Sequence, residues 1–132
     1  MVLVDTSILI DFLRDKSGAQ ASKFNTILEL NIPFGITSHI YQELLQGSAT
    51  QKDFDTLKKY LDTFTIYAPQ DEKESYAQAA HIYFLCRKEG IAVRSTIDCL
   101  IVQIAREHRL KLLHNDKDFD NIKKAVKDIE FF

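Results

Sequence analysis

Short apolar runs alternate with helical stripes along this chain. Val2-Leu3-Val4 is stopped at once by Asp5-Thr6-Ser7, which reads as a short buried strand entering a helix. Ser7–Arg14 is that helix, with Thr6 or Ser7 as its cap. Ile8, Leu9, Ile10, Phe12 and Leu13 make it apolar on nearly every side, so it is expected to be buried on more than one face. Ala19–Leu30 is a second helix with Phe24, Ile27 and Leu28 on one stripe. Pro33–Ile36 is a second strand, and Thr37-Ser38 caps a helix that ends at Gly47. Helix Gln51–Leu61, strand Phe64–Tyr67, helix Glu72–Lys88, helix Ser95–His108, strand Lys111–Leu113 and helix Phe119–Val126 follow. Ile129–Phe132 adds a candidate last strand.

Strands that alternate with helices predict an α/β fold in which a short parallel sheet of four or five strands is flanked by helices. Such sheets bind ligands outside the carboxyl ends of their strands. With 132 residues and no Pro/Gly-rich linker, repeat or low-complexity tract, the chain is expected to be one domain, 1–132.

Composition narrows the picture further. Hydrophobic residues make up 45% and charged residues 27%, enough for a core that needs no disulfides. Cys86 and Cys99 have neither pairing nor metal-type spacing and are expected to be buried thiols, which favours a reducing cytoplasm. No leader and no membrane span is expected: Asp5 interrupts the apolar start, and no run reaches about 20 apolar residues. The net charge of −2 argues against a general polyanion binder but not against a nucleic-acid enzyme. The lysines at 111, 117, 123, 124 and 127 make the C-terminal part locally basic, most simply as a solvated face.

The chemistry lies in four acids, each at a strand–helix junction. Asp5 follows the first strand. Glu43 lies one turn into the helix after the second and borders its apolar face. Asp98 edges the stripe Ile97, Leu100, Ile101, Ile104, Ala105. Asp116 follows the last regular strand, with Asp118 as a weaker candidate. Each has a plain structural reading as a cap, a solvated helix acid or a turn residue. Together they would crowd one sheet edge. Carboxylates brought together unpaired are costly, and a hard divalent cation with oxygen ligands relieves that cost. One or two such ions can activate water and stabilise the leaving oxygen of a phosphodiester without a histidine base. Zinc is not expected, because Cys and His do not cluster at ligand spacing.

At these same residues the chain resembles the PIN-domain nucleases, and more closely the VapC-type toxins of bacterial toxin–antitoxin pairs. Val4-Asp5-Thr6-Ser7 is similar to the family's first motif, Ser38–Gly47 to the second with its acid at Glu43, and Gly90–Ala105 to the third with its acid at Asp98. Leu112–Phe119 is similar to the fourth, with acids at Asp116 and Asp118. Each motif is short; the four in order are specific. The resemblance implies a PIN-like three-layer fold and a Mg²⁺- or Mn²⁺-dependent endoribonuclease leaving a 5′-phosphate and a 3′-hydroxyl. It also implies a homodimer and a small antitoxin over the cleft. His114 departs from the family, which often has Thr there; it would replace the hydroxyl or be a surface residue.

Other readings compete. A phosphatase using Asp5 as nucleophile would commonly have a second acid two residues on, where this chain has Ser7. A binding module without turnover is a third reading, and the four intact acids count against it. Arg94 could hold a phosphate at the cleft mouth. Thr6 and Ser7 could orient a ligand or merely cap the helix. An apolar groove between the first helix and the Phe24/Ile27/Leu28 stripe would suit an antitoxin helix. The RNA target stays open between transfer, messenger and ribosomal RNA.

Overall fold

The computed structural model describes residues 1–15 and 18–132. Its elements run β1 (Val2–Val4), α1 (Thr6–Leu13), α2 (Ala19–Glu29), β2 (Phe34–Ile36), α3 (Ser38–Gln46), α4 (Gln51–Leu61) and β3 (Thr65–Ile66). Then come α5 (Glu74–Lys88), α6 (Thr96–Glu107), β4 (Lys111–Leu113) and α7 (Lys117–Ala125). The strands form one sheet in the order β3-β2-β1-β4. Every pairing is parallel, with Val2 opposite both Phe34 and Lys111.

Strand β1 is central and buried along its whole length, as an apolar run between two strands should be. Burying a side chain such as Leu3 contributes about 1.5–3 kcal/mol. Gly35 in β2 is fixed by close approach. A Cβ there would lie 2.5 Å from the Thr65 carbonyl oxygen and 2.6 Å from the Tyr67 ring. Helix α6 is the most enclosed helix, buried without a break from Cys99 to Ala105. The expected single stripe on it is therefore too narrow, because α5, α7 and β4 all pack against it.

The remaining differences from the sequence reading have local causes. Helix α1 begins at Thr6, and Asp5 itself is the cap, accepting from the Ser7 amide. The expected start of α5 at Glu72 moves to Glu74. The Asp71 carboxylate takes the amides of Lys73 and Glu74 and holds the preceding residues in a turn. Helix α7 starts at Lys117 rather than Phe119, because Asp116 caps it. The candidate strand Ile129–Phe132 reduces to one parallel bridge, Leu112 to Phe131. Cys86 and Cys99 are buried free thiols, and burial pushes the Cys99 thiol up to about 12. No helix among the described residues is long and apolar enough to cross a membrane.

Candidate metal centre at the carboxyl edge of the sheet

The strand order decides where the acids meet. From β1 the chain steps to β2 and then β3 on one side, and returns to β4 on the other. The loops leaving β1 and β4 therefore diverge and open a crevice between them, where α/β sheets take ligands. Asp5 leaves β1 and Asp116 follows β4 at that crevice. The Asp5 amide still bonds the Leu113 carbonyl (2.9 Å), so the two strand ends stay in register up to the site.

Ser7 ties the two loops together. Its hydroxyl donates to Asp5 Oδ2 (2.7 Å) and accepts from the Asn115 amide (2.9 Å). Thr6 donates to Glu43 Oε2 (2.9 Å), which brings α3 to the same edge. The two hydroxyls thus bond carboxylates, while the capping is done by Asp5. On the far side, carboxylate oxygens of Asp98, Asp116 and Asp118 lie within 4.8 Å of one another. Asp116 Oδ1 accepts from the Asp118 amide (2.9 Å).

Electrostatics joins the two groups. Burial, and then the charges of Asp5, Asp116, Asp118 and Glu43, push the Asp98 carboxyl up to about 7. Burial also raises Asp5, with Glu43 adding repulsion and the Ser7 and Thr6 hydrogen bonds opposing it. The site is short of positive charge. Its donors are all carboxylate oxygens, the set preferred by hard divalent cations over softer ones. The residues therefore fit a divalent metal.

All four expected acids are at this edge. Asp118 is more central than its rank in the sequence implies: it is buried and belongs to the tight trio. The signal that could have found it is its place directly before the buried Phe119, inside the first turn of α7. Arg94 turns toward the acids, its Nε 3.2 and 3.1 Å from the two Asp118 oxygens. His114 is not a surface residue. It is buried, packed against Phe119 and Phe131, and its Nδ1 accepts from the Asp116 amide (3.1 Å). Burial lowers its pKa, which favours the neutral ring that this acceptor role needs.

The groove also moves. The α1–α2 seam is closed by Phe12 packing edge-on against Phe24, centroids 4.8 Å apart, and Phe24 and Ile27 are fully buried. The open groove lies on the other side of α1, against α3 and α4. It measures about 860 Å³, is lined by Ile10, Leu13, Leu44, Leu57 and Tyr60, and reaches Glu43.

The PIN domain family matches residues 2–125. The chain belongs to the PIN-domain family. Among its relatives are the VapC ribonuclease Mb1587 of Mycobacterium bovis and ribonuclease VapC11 of Mycobacterium tuberculosis. Each is 30% identical over 92% of this chain and 91% of the relative. A toxin–antitoxin complex from Klebsiella pneumoniae is similar in structure, with TM-score 0.62, 26% identity and 90% of each chain covered. VapBC-1 from nontypeable Haemophilus influenzae has TM-score 0.74 over 100% of this chain and 97% of that chain; at 18% identity it shows the shared fold. This PIN domain is thus of the VapC kind in sequence, and its parallel sheet flanked by helices is the PIN-like α/β fold.

Proposed function

We propose that this PIN domain is a metal-dependent endoribonuclease and the toxin of a type II toxin–antitoxin pair. The observation that carries the reading is the convergence of Asp5, Glu43, Asp98 and Asp116 on the crevice between β1 and β4, in a chain whose relatives are VapC ribonucleases. These four acids, with Asp118 beside them, are the residues that would hold Mg²⁺ or Mn²⁺. When bound, such an ion supplies positive charge to the phosphodiester and makes water a stronger nucleophile.

The chain's own residues set the geometry. Ser7 fixes Asp5 through two hydrogen bonds, Thr6 holds one oxygen of Glu43, and the start of α7 orients Asp116 and Asp118. Asp98 enters from the first turn of α6, where the helix dipole favours its anionic form. We read the whole chain as one such domain, acting in the cytoplasm as a homodimer. Its antitoxin places an amphipathic helix in the groove between α1 and α3–α4; the similarity to the Klebsiella toxin–antitoxin complex supports a partner of this kind.

Purified protein free of partner, incubated with a pool of cellular RNA and Mg²⁺ or Mn²⁺, tests the activity. Discrete cleavage lost with EDTA and in Asp5→Asn is the expected result. Asparagine still caps a helix, so that variant keeps its fold. Metal-dependent cleavage retained by Asp5→Asn refutes the assignment. For the partner, Leu13→Asp at the groove rim should abolish antitoxin binding with circular dichroism unchanged; undiminished binding removes the groove from the account.

A further inference from the structure

Arg94 lies in the segment between α5 and α6, four residues before Asp98. Its side chain is 76% exposed, a position where long cations usually extend into water. Here it folds back over the acids. Nε contacts both oxygens of Asp118 at 3.2 and 3.1 Å, and Nη2 lies 3.5 Å from Asp116 Oδ1. Asp98 acts on it through space as well. Among the described residues it is the only lysine or arginine ion-paired with the acid cluster.

The manner of pairing matters as much as its presence. A guanidinium grips a carboxylate best with two parallel N–H bonds from its fork. Arg94 instead shares one N–H between two oxygens and reaches the second carboxylate only at ion-pair distance. It brings one charge to three carboxylates and does so from an exposed position, where screening keeps such pairs weak. Such an exposed, shared contact is open to competition from a more highly charged cation.

We propose that Arg94 is the resident counter-ion of the acid cluster, holding Asp118 and Asp116 until a divalent cation displaces it from their oxygens. This rests on the reading of the cluster as a metal site. It makes Arg94 a competitor of the metal, and it predicts that neutralising Arg94 improves metal binding.

The test is calorimetric titration of Mn²⁺ into metal-free protein at fixed ionic strength. Arg94→Gln should tighten Mn²⁺ binding by about three- to tenfold, the scale of removing one partly screened charge. Its melting temperature should fall without metal and recover with Mn²⁺. Arg94→Lys, which keeps the charge, should stay within about twofold of the parent. In an Asp118→Asn background the gain from Arg94→Gln should shrink, because the contact that competes is already broken. Unchanged or weaker Mn²⁺ binding in Arg94→Gln overturns the inference and leaves the metal site standing. So does an undiminished gain in the Asp118→Asn background, which would mean a general charge effect. Parent protein that binds no Mn²⁺ overturns the metal site and the inference together.

Discussion

Helix α6 carries a carboxylate near each end, Asp98 in its first turn and Glu107 at its last residue. The helix dipole favours the first and disfavours the second, yet the shifts run the other way. Asp98 is pushed up to about 7 by burial and by four neighbouring acids. At Glu107 burial also pushes upward, but the net shift is downward. Ser75, the Gln70 amide and Gln103 donate hydrogen bonds to it, and His108 is near. A dipole contribution of about 0.3–1 kcal/mol is outweighed at both ends. One end of the helix is built with every acceptor satisfied. The other gathers like charges, with Arg94 as the lysine or arginine paired to them among the described residues. Strain of that kind is expected at functional sites rather than structural ones.

Substitutions at each end test this contrast. The largest effect is expected from Asp98→Asn. Cleavage should fall by more than the roughly 10–100-fold typical of losing an outer-shell partner. The metal-free protein should nonetheless melt at a higher temperature, because a repelled charge is gone. RNA cleavage and thermal melting of the same samples check both, and a melting temperature lower than the parent's contradicts the account of Asp98. Next is Ser7→Ala, which removes the hydroxyl bridging Asp5 and Asn115. Cleavage should fall by about 10–100-fold at saturating metal, with little change in fold.

At the other end, Ser75→Ala should cost about 1–3 kcal/mol, since Glu107 is left short of a donor. The cleavage rate of the folded fraction should stay at the parent's value. Denaturant unfolding alongside the RNA assay separates the two, and a variant that loses activity without losing stability would show that Glu107 serves the site rather than the fold.

The smallest effect is a pH slope whose sign differs between the ends. The folded protein keeps the Asp98 proton up to about pH 7, while the unfolded chain releases it near the ordinary value of about 3.9. Between these values the folded state binds more protons, so this group's contribution to stability falls as pH rises. Glu107, held below its ordinary value, contributes above that value and fades as pH falls through its lowered one. Without metal, the melting temperature should therefore decline from pH 5 to pH 7, and Asp98→Asn should flatten the decline. Added Mn²⁺ has to displace the Asp98 proton below about pH 7, so its stabilising effect should shrink there.

The alternation of strands and helices and the junction that carries each acid follow from local pattern, as does the Thr37 cap of α3, whereas the caps Asp5 and Asp116 do not. Those that do are local matters. An apolar run ended by Asp-Thr-Ser stops a strand and starts a helix whatever else the chain does. Which junctions become neighbours is set by the strand order. The step from β1 to β2 on one side and to β4 on the other placed Asp5 beside Asp116. The Ser7–Asn115 bond spans 108 positions, and the Arg94–Asp118 pair spans 24. Local sequence pattern carries no information on contacts at such separations. The importance of Asp118, the inward turn of Arg94, the burial of His114 and the side of α1 that stays open all depend on them. Local propensity acts over a few residues, whereas charge and packing act through space, and the fold alone settles what lies within their reach.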